Sequence, residues 1–248
     1  MGIFKASTSL WVFGYGSLCW HPGFAYGASA IGHIKGYLRR FWQGNTTHRG
    51  EPGKPGRVAT LVEEKDGSTW GVAYELKGEA ALQYLMNREV SLGGYTTAVV
   101  PFYPREGDRR DIPSSIPVLL YVATPASKDW VGTAPLHEIA TQIAGAKGPS
   151  GHNVEYLLRL AEFMREQVPE GYDEHLATLE ILVRMRIKEG NMCMKTLMGE
   201  GGSGFDPAAA MLAEAGGAEG QAAEPEERRD TFQFSAKLPP KNLRCANL

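Results

Sequence analysis

The order of patterns along this chain predicts an α+β fold, with strands gathered in the first half and helices in the second. Two observations carry the prediction. Residues 10–12, 30–42, 57–64, 69–76, 96–103 and 116–123 are short runs rich in Val, Leu, Ile and Tyr, which suit a pleated, half-buried surface. Past Pro135 the apolar residues recur instead at helical spacing, as in Val154, Leu157, Leu158, Ala161 and Met164.

Residues 10–12 read as a first strand ending in Phe13-Gly14-Tyr15-Gly16-Ser17-Leu18. Glycines on either side of a tyrosine permit a tight turn and let a ligand approach the main chain closely. Successive N–H groups in such a turn can form an anion-binding concavity. The plainer alternative is an ordinary strand end with a buried tyrosine. Residues 30–42 read largely as strand, with Ile31, Ile34, Tyr37 and Phe41. Residues 45–56 hold three glycines and two prolines and read as a surface loop able to act as a lid. Runs 57–64 and 69–76 flank Lys65-Asp66-Gly67-Ser68, and an Asp-Gly pair between apolar runs predicts a hairpin. Residues 79–88 read as a short helix with Ala81, Leu82, Leu85 and Met86 on one stripe, stopped by Gly93-Gly94. Strands 96–103 and 116–123 follow.

In the second half, Pro135 is placed to open a helix at its first position. Asn153 is placed to cap the next helix and Asp173 a third, with Leu176, Leu179, Leu182 and Val183 facing inward. Composition changes after Lys188. Residues 199–230 are dominated by Gly, Ala and Glu and cannot bury enough surface to offset their ordering entropy. The expected division is a folded catalytic domain over 1–188 and a low-complexity, disordered tail over 189–248. Residues 232–248 regain Phe, Leu and Pro and could dock on the domain; no protein partner of the tail can be named.

With 248 residues, 43% hydrophobic and 22% charged, the chain has the composition of an ordinary globular protein. A net charge of −2 gives no basic footprint for nucleic acid and no polybasic membrane anchor. No stretch is long and apolar enough to span a bilayer, and no signal peptide is visible. Met1-Gly2 is not a myristoylation site, because position 6 is Ala6 rather than Ser or Thr. The three cysteines, Cys19, Cys193 and Cys245, lack metal-type spacing, so no metal or other cofactor is expected and the compartment reads as a reducing cytoplasm. Cys19, close to Ser17, invites a catalytic reading, but a small core residue is favoured.

A wider set of motifs carries a resemblance. It comprises Phe13-Gly14-Tyr15-Gly16-Ser17-Leu18 with Trp20, Arg40-Phe41-Trp42-Gln43, His48-Arg49-Gly50 and Pro55-Gly56-Arg57-Val58. Arg88-Glu89 with Gly93-Gly94-Tyr95, Tyr121-Val122-Ala123-Thr124-Pro125 and Gly148-Pro149-Ser150-Gly151-His152-Asn153 complete it. Together, over roughly residues 10–187, they resemble the γ-glutamylcyclotransferases, and within them the ChaC family that acts on glutathione. The resemblance implies a small twisted barrel or sheet packed by helices. It implies cyclotransfer on glutathione, giving 5-oxoproline and cysteinyl-glycine.

The γ-glutamyl group carries its own nucleophile, its α-amino nitrogen. An enzyme then needs a grip on the α-carboxylate and ammonium, a proton shuttle and donors for the oxyanion. The family's catalytic glutamate falls on Glu89. The negative end of the preceding helix would raise its pKa, as suits a group that both accepts and donates a proton. Read without the resemblance, Glu89 is sooner the partner of a surface cation such as Arg88, and the resemblance reverses that reading; Glu75 and Glu79 are the fallback acids. The family's γ-glutamyl-binding loop falls on Tyr15, Gly16, Ser17 and Leu18. Tyr121 matches the tyrosine that orients substrate or glutamate, with a core tyrosine as its alternative. Arg49 and Arg57 are candidates for the glycyl carboxylate of glutathione, with solvated loop charges as the alternative. Ser17 is a poor nucleophile candidate, since no G-x-S-x-G elbow or activating histidine accompanies it. Two rival functions stay open: cyclotransfer on other γ-glutamyl amino acids or γ-glutamylamines, and a non-catalytic binding module.

Overall fold

The computed structural model describes residues 10–77, 95–107 and 112–199. The apolar runs of the first half form β1 (Trp11–Gly14), β2 (Tyr26–Asn45), β3 (Gly56–Leu76), β4 (Tyr95–Pro104) and β5 (Ile116–Ala123). They close into a barrel in the order β1-β3-β2-β4-β5. The junction of β1 with β5 is parallel, with Val12 opposite Leu119, and the other pairings are antiparallel. Closure removes the open sheet edges that would otherwise invite pairing with another chain. Alternation along β5 buries Ile116, Val118 and Leu120 and exposes Pro117.

The predicted Asp66-Gly67 hairpin is not formed. Runs 57–64 and 69–76 are halves of one strand, β3, and both pair with β2. Tyr37 faces Glu63 while Lys35 faces Ser68, so 35–37 on β2 spans 63–68 on β3. The extra β3 residues form a bulge that bends the ribbon around the barrel. Gly36 supplies the other side of the bend with φ +84°, a conformation that a Cβ resists. The true hairpin joins β2 to β3, with Asn45 opposite Gly56. A strand as long as β3 needs such a kink to stay on a small closed sheet, and the Asp-Gly signal marks it.

The second half holds α1 (Leu136–Gly145), a small ribbon of β6 (Lys147–Gly148) and β7 (Gly151–His152), α2 (Asn153–Gln167), α3 (Glu174–Glu189) and α4 (Met194–Met198). Their stripes meet in a core where Ile139, Ile143, Leu157, Leu160, Leu179 and Val183 are fully buried. Pro135 stands at the N-cap of α1, one residue before the expected position. Asp173 caps α3 as expected, its Oδ1 accepting the Leu176 N–H at 3.0 Å.

Asn153 does not cap α2; the His152 Nδ1 does, accepting the Val154 N–H at 3.2 Å. Asn153 turns inward instead and is fully buried. It accepts the Arg57 N–H at 2.7 Å and donates to the Arg57 carbonyl at 2.8 Å. That side-chain amide pairs with β3 as a neighbouring strand would, and fixes α2 to the barrel. Packing also continues past the expected boundary at Lys188, since Leu197 of α4 is buried. The predicted helix 79–88, Gly93-Gly94 and the tail 200–248 lie outside the described residues. Among the described residues, no helix is long and apolar enough to cross a membrane.

Candidate active site

The parallel strands β1 and β5 finish at one end of the barrel, and the turn after β1 begins there. The Tyr15 hydroxyl donates to the Tyr121 carbonyl at 2.6 Å, so both predicted tyrosines are brought together and both are buried. The chain then makes a single tight helical turn over Ser17–Cys19, with the Cys19 N–H on the Gly16 carbonyl at 2.9 Å.

Neither glycine of the turn has a positive φ. They are required by crowding instead. A Cβ on Gly14 would collide with Leu18, and one on Gly16 would lie 2.6 Å from the Tyr156 hydroxyl. The turn is held from behind by side chains of the barrel. Arg39 Nε donates to the Tyr15 carbonyl at 2.9 Å, and the Tyr74 hydroxyl donates to the Leu18 carbonyl at 2.7 Å. Tyr156 accepts the Ala59 N–H at 3.2 Å and packs edge-on to Trp20, with ring centroids 5.4 Å apart.

With its carbonyls engaged behind it, the turn presents donors on the other side. The first amides of a helical turn have no partner within it. Among the described residues no acceptor serves the amides of Gly16, Ser17 and Leu18, or the Ser17 hydroxyl. Ser17 is nonetheless 8% exposed, so these donors are largely shielded from bulk water. The arrangement suits a carboxylate or an oxyanion. The thiol and phenols packed against it are neutral, and the cation behind it is Arg39. Burial pushes the Cys19 thiol up to about 12 and the Tyr156 phenol to about 12, and it raises Tyr74 well above the usual tyrosine range. Cys19 is thus a protonated core residue, its Sγ 3.5 Å from the Gly14 carbonyl.

The remaining predicted residues fall elsewhere. Loop 45–56 is not an open lid: His48, Arg49 and Gly50 are buried. A Cβ on Gly148 would collide with the His48 carbonyl, so this loop is wedged against the β6–β7 ribbon. Arg49 donates to Glu155 Oε2 at 2.7 Å and to the His152 carbonyl at 3.1 Å. Arg57 donates to Gln142 at 2.6 Å and to the Gly132 carbonyl at 2.6 Å. Both guanidiniums therefore tie helices and loops to the barrel. Glu75 sits opposite Trp11 at the far end of β1. Glu89 and Glu79 lie outside the described residues.

A cleft of about 600 Å³ opens on the other side of Arg39, lined among others by Trp42, Trp70, Tyr172, Asp173 and His175. None of Tyr15, Gly16, Ser17, Leu18 or Tyr121 lines it, so it is separate from the donor-rich turn. Sequence reasoning missed the residues that hold the turn, namely Arg39, Tyr74 and Tyr156. For Arg39 a signal existed: a cation inside the strand run Tyr37-Leu38-Arg39-Arg40-Phe41 must either reach water or find buried acceptors.

The closed barrel carries the donor-lined turn and the joined tyrosines at one end. The family model described as ChaC-like protein matches residues 10–186, and the chain belongs to that family. It is 55% identical over 174 residues to human "Glutathione-specific gamma-glutamylcyclotransferase 1", covering 69% of this chain and 77% of that protein. It is 39% identical over 197 residues to the Schizosaccharomyces pombe "Glutathione-specific gamma-glutamylcyclotransferase", covering 73% and 95%. A solved yeast γ-glutamyl cyclotransferase specific to glutathione superposes with a TM-score of 0.64 at 28% identity, covering 72% of this chain and 97% of that one. The expected family and the barrel packed by helices are both borne out.

Proposed function

We propose that this protein is an enzyme that cleaves glutathione by intramolecular cyclotransfer, releasing 5-oxoproline and cysteinyl-glycine. The observation that carries the reading is its 55% identity over 174 residues to the human glutathione-specific enzyme, beside a family match over residues 10–186 that includes the donor-lined turn. In this reading the amides of Gly16, Ser17 and Leu18, with the Ser17 hydroxyl, hold the substrate's anionic group. Tyr15 and Tyr121 form the wall beside it. The α-amino nitrogen attacks the γ-carbonyl carbon, a C–N bond closes the five-membered lactam, and the bond to the cysteinyl nitrogen breaks. One proton travels from the attacking amine to the leaving nitrogen, with no net use of water and no change of oxidation state.

Glu89 carries that proton. Chain connectivity supports this assignment. Tyr95 opens β4 opposite Ala123, close to Tyr121, and Glu89 lies just upstream, within a covalent reach of roughly 20 Å. Arg49 enters this reading as a structural residue. The catalytic unit extends to Gly199 to include α4, and the compartment is a reducing cytoplasm, in keeping with the unpaired Cys19 and Cys193.

Incubation of the purified protein with glutathione and with γ-glutamyl-alanine tests the proposal. 5-Oxoproline should form far faster from glutathione. A preference for γ-glutamyl-alanine would retain the chemistry and remove the glutathione assignment, and no product from either would remove both.

A further inference from the structure

We propose that Arg39 is a positioning residue of this site, whose guanidinium polarises the Tyr15–Gly16 peptide and directs the Gly16 amide toward the substrate's anionic group. The inference rests on the functional reading above, but its central readout does not.

Arg39 lies in β2 and is 2% exposed. A cation there is tolerated only if its donors are satisfied. Its Nε donates to the Tyr15 carbonyl at 2.9 Å. One terminal nitrogen donates to Asp173 Oδ2 at 2.9 Å, and the other donates to the Trp70 carbonyl. A single buried group thus joins the turn after β1, strand β3 and the start of α3.

The C=O and N–H of a trans peptide point in opposite directions. The Tyr15 carbonyl points at Arg39, so the Gly16 N–H of the same peptide points away from it. Among the described residues that N–H has no acceptor. Linked hydrogen bonds strengthen one another, most of all in a low-dielectric surrounding. A charge-assisted bond at the carbonyl therefore makes the Gly16 N–H a stronger and better aimed donor. The fixed charge sits behind the peptide and is screened little by solvent. A purely structural role would make different demands, because Asp173 and Trp70 would matter as much as Tyr15.

The two readings separate by spectroscopy. Tyr-Gly occurs at 15–16 and 26–27. Protein carrying carbonyl-¹³C tyrosine and ¹⁵N glycine gives a selected spectrum of those peptides alone, with Gly27 as an internal control. In Arg39→Met the Gly16 amide proton should move upfield while Gly27 stays, and kcat/KM for glutathione should fall about 10-fold to 100-fold per folded molecule. Arg39→Lys guards against misfolding of that variant. Asp173→Asn keeps the helix cap and removes the counter-charge, so it should cost stability with little movement of Gly16. Across these variants the loss of kcat/KM should track the Gly16 shift. A Gly16 amide that does not move, or activity that tracks the melting temperature instead, overturns the proposal. A wild type that makes no 5-oxoproline would sink the functional reading, while the Gly16 shift would still report on the peptide.

Discussion

In the proposed reaction Glu89 accepts a proton from the α-amine and delivers one to the leaving nitrogen within the same turnover. Glutamine keeps the shape and hydrogen-bonding reach of that side chain and removes its titration. Glu89→Gln should therefore abolish 5-oxoproline formation while leaving the melting temperature and glutathione binding close to wild type. Calorimetric binding beside a turnover assay checks this, and near-normal turnover would remove Glu89 from the shuttle role. At this scale the sequence was most legible where chemistry needs a rare arrangement. The Gly14-Tyr15-Gly16-Ser17 run announced a tight turn after β1, and the structure joins Tyr15 to Tyr121 across 106 positions. It was least legible for supporting side chains. Nothing local in the sequence shows that Tyr74 will reach the Leu18 carbonyl, because that contact exists only once β3 has closed beside β1.

Between elements, the contacts that dock helices on the barrel are made by polar residues that the sequence assigned other tasks. Asn153 looked like a cap because it precedes an apolar stripe, yet His152 caps and Asn153 clamps β3. The two readings differ by one residue of helix phase, which local propensity does not resolve. Likewise Asp66-Gly67 signalled a turn, and the competing partner β2 converted it to a bulge. Arg49 looked like a loop charge, and its guanidinium instead meets Glu155, whose side chain is 13% exposed. Among the described residues, Arg49→Ala would leave that carboxylate with only the longer cationic contact to Arg159, at 3.9 Å. A loss of about 3 kcal/mol in urea unfolding is expected, the low end for breaking a buried pair. The ratio of kcat/KM for glutathione to that for γ-glutamyl-alanine should stay unchanged. A selective drop with glutathione would place Arg49 on the glycyl carboxylate after all.

For the whole molecule, the fold class was legible because strand and helix patterns occupy separate halves of the chain. The barrel's closure was not, since a parallel contact between β1 and β5 leaves no local mark. The limit of the packed unit is testable by truncation. Ending the chain after Gly199 should preserve turnover, whereas ending it after Lys188 removes Leu197 from the core and should lower the melting temperature. Equal stability of the two truncations would show that α4 contributes nothing. Stability as a whole should also depend on pH through two half-buried histidines. His152 Nδ1 accepts the Val154 N–H, and His175 Nε2 accepts the Phe41 N–H at 3.1 Å, so both rings must be neutral in the fold. Burial pushes His152 from 6.5 down to about 4, helped by Lys147, Lys54 and Arg49. Burial also brings His175 from 6.5 to about 4, with Arg40 and Arg39 lowering it and Asp173 opposing them. The folded values lie below the unfolded ones, so the unfolded chain binds more protons between about 4 and 6.5. The contribution is fully present above pH 6.5 and is lost as pH falls through the folded values. Urea midpoints should be level from pH 8 to roughly 7 and decline as the pH drops below the unfolded histidine value. His152→Asn and His175→Gln keep an acceptor near Nδ1 and Nε2 respectively and cannot titrate. The double variant should flatten the decline between pH 6.5 and 5.5, above the range where carboxylates dominate. An undiminished slope in that variant would assign the pH dependence to other groups.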